Sequence, residues 1–189
     1  MPRDAAVYLA RHGQTAYNRA RRFQGLLPVP LDETGLAQAA TLAQEAARHT
    51  FAVLWCSPLL RARQTADIVG QRIGLEPIED GRLVETDAGD WTDRPFADMQ
   101  KEHPDEFAAF VAGDPDFAFP GGESFAEQAA RVQAALADIE AGELPALVVC
   151  HGQVIRLALA ERHPDGLDGA LRGSHTVTNG ALIALPAPA

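Results

Sequence analysis

Two short apolar runs in this chain end in the same way, and that pattern constrains the fold more than any other feature. Ala6-Val7-Tyr8-Leu9-Ala10 stops at Arg11-His12-Gly13, and Ala146-Leu147-Val148-Val149-Cys150 stops at His151-Gly152. A strand buried on both faces reads as an unbroken apolar run and releases polar residues only where it ends. Two such runs, each with a histidine at its carboxyl end, predict parallel strands that open on one shared edge. In open α/β sheets that edge is where ligands bind.

The rest of the chain alternates in a compatible way. A loop from Gln14 to Leu31 ends in the stiff Pro28-Val29-Pro30, and Asp32 then reads as the N-cap of an Ala/Leu-rich helix reaching about His49. Phe51 to Cys56 is a second apolar strand. Ser57-Pro58 predicts an N-cap and N1 for a helix over about Leu59 to Ile73, with Gly74 at its C′ position. Arg82-Leu83-Val84-Glu85 reads as a short strand or an extended arm. From Asp90 to Gly122 the pattern becomes short aromatic helices broken by Pro95, Pro104, Pro115 and Pro120, which predicts a lid insertion over about residues 91–123. His103-Pro104 and His163-Pro164 read as helix stops.

Ser124-Phe125-Ala126-Glu127 is a capping box opening a helix to about Ala141, before Gly142. After the Ala146–Cys150 strand come a helix over about Val154 to Arg162, a turn-rich stretch, and strand material between Thr176 and Leu185. The expected fold is a single α/β domain over residues 1–189. It is a three-layer α/β/α sandwich with a mostly parallel central sheet and a short helical lid.

Charge narrows the partners. With 16 Lys+Arg against 26 Asp+Glu the formal net charge is −10, whereas a surface that grips nucleic acid or anionic lipid needs a basic footprint. A small, locally basic pocket remains compatible. Lys101 is the single lysine, so nearly every cation is an arginine, the side chain that clamps phosphate and carboxylate in a fixed fork. Cys56 and Cys150 show no metal spacing and suit a reducing compartment. If their strands flanked the Arg11-His12 strand, the cysteine Cα atoms would lie about 10 Å apart, too far to bridge. No secretory signal is expected from the first ten residues, and no apolar run approaches the ~18 residues of a spanning helix. The expectation is a cytoplasmic protein with no nucleic-acid or membrane partner, for which a homodimer is a compatible assembly.

This layout brings Arg11, His12, Arg61, Glu85 and His151 toward one edge. His12, His151 and Glu85 are plausible zinc ligands. A dication beside two arginines, however, would meet like-charge repulsion on the order of 4 kcal/mol per close pair, so no metal is expected. Two Arg and two His instead describe a site for an anion such as a phosphoryl group. His12 is then the natural nucleophile, because neutral imidazole attacks phosphorus without a separate base and adjacent arginine charge keeps it neutral. Glu85, in a cleft partly closed by the lid, is the candidate donor of a proton to the leaving alkoxide.

Three stretches carry a family resemblance: Leu9-Ala10-Arg11-His12-Gly13-Gln14-Thr15-Ala16-Tyr17-Asn18, Phe23-Gln24-Gly25, and Ser57-Pro58-Leu59-Leu60-Arg61-Ala62-Arg63-Gln64-Thr65-Ala66. With Leu83-Val84-Glu85, Gly89-Asp90-Trp91, Pro120-Gly121-Gly122-Glu123-Ser124 and Val149-Cys150-His151-Gly152, the chain resembles the histidine phosphatase superfamily, the phosphoglycerate-mutase-like enzymes. The resemblance implies that His12 becomes phosphorylated, that Arg11, Arg61 and His151 complete the phosphate pocket, and that Glu85 donates the proton. It also implies that Asn18, Gln24, Gly25 and Gly152 contact the phosphoryl group or substrate, and that no metal or other cofactor takes part. Pro28, Gln153 and Asp87-Ala88 depart from the common pattern on the substrate side of the pocket.

The expected activity is hydrolysis of a small phosphate monoester. The alternatives are a cofactor-dependent phosphoglycerate mutase and a non-catalytic regulatory module. A mutase needs a second anion clamp, and the lid carries Asp93, Asp98, Glu102, Asp105, Glu106, Asp114 and Asp116 against Arg94 and Lys101. A regulatory module would be expected to have lost His12, an arginine or the acid, and all are present.

Overall fold

The computed structural model describes residues 6–162 and 177–187. Strands β1 (Val7–Arg11), β2 (Val53–Cys56), β3 (Pro77–Glu79), β4 (Ala146–Cys150) and β5 (Leu182–Ala184) form one sheet in the order β3-β2-β4-β1-β5. The β2–β3, β2–β4 and β1–β4 pairs are parallel, and β5 runs antiparallel to β1 at the edge. The shared edge expected from the two histidine-terminated runs is therefore real. Arg11 pairs with Cys150, so His12 and His151 leave neighbouring strands at one level.

Alternation along each strand divides the core into two layers. Leu147 and Val149 of β4 face α2 (Glu33–Ala46) and α3 (Leu60–Ile73), packing on Leu42, Ala43, Ala62, Ala66 and Val69. Ala146, Val148 and Cys150 face α6 (Phe125–Glu140) and α7 (Gly152–Arg162), packing on Val132, Leu136, Ile155 and Leu159. Cys56 and Cys150 correct the sequence expectation: their strands are adjacent, with Cys56 opposite Val149, but the thiols point into opposite layers and are free. Burial raises the Cys56 thiol to about 12 and pushes Cys150 up further, so both stay protonated.

The lid forms a third apolar cluster. A 3₁₀ turn at Gly89–Trp91 precedes α4 (Phe96–Glu102) and α5 (Pro104–Ala112), which meet at His103. Phe23, Trp91, Met99, Phe107, Phe117, Phe119 and Phe125 are buried together. Ring pairs such as Phe117–Phe119 at 4.8 Å and Phe23–Trp91 at 5.2 Å are near edge-to-face. Residues 91–123 are thus held by an aromatic cluster shared with Phe23 and with Phe125 of α6.

Several local expectations are corrected. The loop after β1 contains α1 (Ala16–Ala20), opened by a capping box in which Thr15 and Asn18 satisfy each other's backbone. β3 was not expected. Arg82–Glu85 is neither strand nor simple arm, since Gly81–Leu83 is a 3₁₀ turn capped by Asp80. α3 begins at Leu60 with Leu59 as N-cap and no side-chain cap bond, so Ser57 is not the cap. The proline that follows holds Ser57 extended, out of helix geometry, and a tertiary partner takes its hydroxyl. Gly74 does end α3 in the left-handed conformation at φ 76°, and Ser124 does open α6 with a capping box. His163-Pro164, the turn-rich stretch and Thr176 lie outside the described residues.

Candidate active site

His12 is held from every side. Its N–H donates to Cys150 O at 3.1 Å, and its carbonyl accepts from Asn179 Nδ2 at 3.0 Å. The next residue approaches α2 so closely that a Cβ on Gly13 would stand 2.3 Å from Gly35 O, and one on Gly35 would stand 2.0 Å from Gln14 O. Only glycine at both positions lets the loop rest on the first turn of α2. Gly13 N–H also donates to Thr65 Oγ1 at 3.2 Å.

The His12 ring is oriented by its Nδ1, 2.7 Å from Gly13 O. A carbonyl only accepts, so Nδ1 carries the proton and Nε2 keeps its lone pair. Burial first, then the charges of Arg61 and Arg11, hold the imidazole well below its usual pKa. His12 is therefore neutral, in a fixed tautomer, and in the wall of a cavity of about 710 Å³.

Arg61, in the first turn of α3, is 1% exposed and donates to Leu27 O at 3.1 Å and Gly25 O at 3.0 Å. Burial pushes its guanidinium down to about 10, so it remains a cation at neutral pH. Arg11 is anchored through Nη1 on Val177 O. Among the described residues neither arginine contacts a carboxylate, and the Nε of each is buried without a partner. Unpaired buried guanidinium donors beside a neutral imidazole make a preformed receptor for an oxyanion.

His151 lies behind His12, with ring centroids 5.1 Å apart, and does not itself line the cavity. Its Nε2 is 2.7 Å from Ser57 Oγ and its Nδ1 is buried without a partner. Burial, followed by the positive charge of Arg61 and of the further arginines Arg11 and Arg131, keeps it well below its ordinary pKa.

Glu85 reaches the same cavity from the segment after the 3₁₀ turn. Its Oε1 accepts from Thr86 N–H at 3.0 Å and Gln128 Nε2 at 3.4 Å, and its Oε2 faces Gln153 N–H at 3.4 Å. Its charge is felt at both Arg11 and Arg61. Asn18, Gln24, Gly25 and Gly152 also line the cavity. Thr15 Oγ1 donates to Gln24 Oε1 at 2.8 Å and Asn18 Oδ1 at 3.1 Å, tying these two together. Every residue singled out from the sequence is thus brought to one place, with His151 in the layer behind the wall.

The remaining wall is mixed, with a large aromatic share. Phe23, Phe96, Phe107, Phe110, Val111 and Phe119 line it beside Arg21, Arg22, Gln100, Gln153 and Arg156. The acidic lid reading is corrected here: Asp93 pairs with Arg22, Glu102 pairs with Arg94, and no lid carboxylate is in the wall. Charge runs stay solvated when an apolar face is available to turn inward.

Sequence reasoning missed three contributors. Ser57 is read there as a cap, and neither Asn179 nor Arg156 is singled out. Arg156 is 8% exposed, lines the cavity, and donates to Val111 O at 2.8 Å and Gln153 Oε1 at 2.9 Å. Its place five residues after a strand-ending histidine was the available signal, because a residue one turn into that helix lies beside the sheet edge. Among the described residues no group of three or more His, Cys, Asp or Glu is placed to hold a metal ion.

A profile of the histidine phosphatase superfamily (branch 1) matches residues 7–185. A Yersinia pestis protein named "Probable phosphoglycerate mutase GpmB" is 36% identical over 157 residues, covering 82% of this chain and 73% of that protein. Among solved structures, a mycobacterial glucosyl-3-phosphoglycerate phosphatase is 31% identical with a TM-score of 0.81, over 94% of this chain and 88% of that one. Its complex with inorganic phosphate also matches, at 29% identity and a TM-score of 0.80, over 94% and 87% of the two chains. The alpha-ribazole phosphatase of Shigella flexneri is 28% identical with a TM-score of 0.76, over 93% of this chain and 87% of that one.

Proposed function

Because the chain belongs to the histidine phosphatase superfamily, branch 1, we propose that it hydrolyses small phosphate monoesters through a phosphohistidine at His12. The observation that carries this reading is the pairing of a neutral, tautomer-fixed His12 with a buried Arg61 and a half-buried Arg11 that contact no carboxylate among the described residues. Nε2 of His12 attacks phosphorus while the ester P–O bond breaks, and protonated Glu85 passes its proton to the departing alkoxide. Water then attacks the phosphohistidine, Glu85 takes up a proton from it, and the P–N bond breaks to release phosphate. Arg11 and Arg61 carry the charge on the equatorial oxygens, His151 supports the His12 side, and Asn18, Gln24, Gly25 and Gly152 complete the cradle.

The alcohol portion would sit against the phenylalanine wall, which suits a neutral or partly apolar body. Two further cations of the wall are already engaged: Arg22 on Asp93, and Arg156 on Val111 O and Gln153 Oε1. A second anionic group that engaged Arg22 or Arg156 would compete with those contacts, and this supports hydrolysis over mutase chemistry. It replaces the charge of the lid as the ground for that preference. The mutase reading draws on the 36% identity to the Yersinia protein and on Arg21, whose side chain lines the cavity with no partner among the described residues.

Rapid quench with a labelled ester should trap an acid-labile, base-stable phosphate on His12. An alkali-labile acyl phosphate would overturn the mechanism. A panel of sugar phosphates, nucleotides, phosphoglycerates and p-nitrophenyl phosphate then ranks the body. It is run beside conversion of 3-phosphoglycerate to 2-phosphoglycerate with and without 2,3-bisphosphoglycerate. Isomerisation outpacing hydrolysis would make the protein a mutase.

A further inference from the structure

We infer that Arg131 and Glu123, neither of which lines the main cavity, are positioning residues that set the height and direction of the Glu85 carboxyl. Guanidinium has five N–H donors in a rigid fork, and here all five are used. Nε and Nη2 form a bidentate pair with Glu123 at 2.6 and 2.7 Å. Nη1 donates to Arg82 O at 2.7 Å and Val84 O at 2.8 Å, and Nη2 reaches Glu85 O at 3.3 Å. One side chain on α6 therefore holds three carbonyls of the short segment that delivers Glu85.

That segment has little else to hold it. It follows a single 3₁₀ turn and belongs to no strand, so neither a ladder nor a helix fixes its carbonyls. The same helix grips the carboxyl end of the residue: Gln128, three positions before Arg131 and fully buried, donates to Glu85 Oε1 at 3.4 Å and accepts from Thr86 Oγ1. Residues three apart share one helical face, so Gln128 and Arg131 together act as a ruler for Glu85, one on the side chain and one on the backbone. Glu123 balances the charge of Arg131 and also faces Asp87 N–H at 3.4 Å, while its own N–H donates to Asp87 O at 3.0 Å. The 82–87 segment is thereby tied on both sides of Glu85 to the start of α6. Capping of that helix by Ser124 fixes where the ruler begins.

The inference rests on Glu85 as the proton donor, and its test separates the two claims. A nitrophenolate leaves without a proton, whereas the alkoxide of an alkyl phosphate requires one. The readout is the ratio of kcat/KM for an alkyl phosphate to that for p-nitrophenyl phosphate, measured on the full-length protein. Glu85→Gln should lower this ratio on the order of 10²-fold, the usual contribution of a general acid. Arg131→Lys, which keeps the charge and loses the fork, should lower it about tenfold, with Glu123→Gln moving it in the same direction. A merely structural role would depress both substrates equally and leave the ratio unchanged, and that result in Arg131→Lys and Glu123→Gln overturns the inference. An unchanged ratio in Glu85→Gln overturns the donor assignment instead. If Arg131→Lys fails to fold, Glu123→Gln, which keeps the three carbonyl contacts, decides.

Discussion

The hydroxyl of Ser57 lies 2.7 Å from Nε2 of His151, joining the end of β2 to the end of β4 directly behind His12. Leu59 N–H donates to the same hydroxyl at 3.3 Å, which holds the oxygen in place against His151. Ser57 therefore fixes the ring of a histidine that is otherwise buried with an unpartnered Nδ1. Removing a buried hydrogen-bond partner costs about 1–3 kcal/mol. Ser57→Ala is expected to slow formation of the phosphoenzyme about tenfold or more, and single-turnover quench kinetics report it. A wild-type rate would remove Ser57 from the support of the site.

The two arginines should be nearly as important as the nucleophile. Arg11→Ala and Arg61→Ala are each expected to lose on the order of 10²–10³ in kcat, the size seen when one transition-state donor is deleted. Arg61→Ala also frees Gly25 O and Leu27 O, so its KM should rise more than that of Arg11→Ala. Near-native turnover in either variant would show that the phosphoryl group binds elsewhere.

Two buried neutral histidines make stability depend on pH in a defined direction. His12 and His151 titrate well below 6.5 in the native state, so the unfolded chain binds more protons than the native one once the pH drops below that value. Their contribution is complete above about pH 6.5 and is lost as the pH falls from there toward the depressed native values, by up to about 1.4 kcal/mol per pH unit for each ring. Urea unfolding at pH 7.5, 6.0 and 5.0 should show this slope, and His12→Asn should flatten it. An identical slope in wild type and variant would contradict the buried neutral state.

Activity is expected to survive prolonged dialysis against chelator. Among the described residues the cavity wall carries one carboxylate, Glu85, beside the cations Arg11 and Arg61, a charge pattern that favours an anion and repels a dication. Loss of turnover that zinc or magnesium restores would refute this.

Much of the site was legible because its residues sit where strands and helices begin or end. Arg11, His12 and His151 follow uninterrupted apolar runs, and Asp32, Gly74 and Ser124 mark helix boundaries by local chemistry alone. The 3₁₀ turn before Glu85 and the three-residue β3 were not legible, since neither has a period long enough to show. The lid acids misled for a related reason: sequence lists charges along the chain but does not say which face of a short helix turns inward.

The sequence by itself determined the α/β alternation, the sheet edge and the small set of residues delivered there, because burial period and capping are local properties. Only the tertiary structure decided that β4 lies between β2 and β1, that His151 stands behind the wall, that Ser57 serves a histidine and not a helix, and that Arg131 holds the Glu85 segment. Each of these joins groups far apart in the chain. Hydrogen bonds between such groups depend on distances that only the packing of the layers sets.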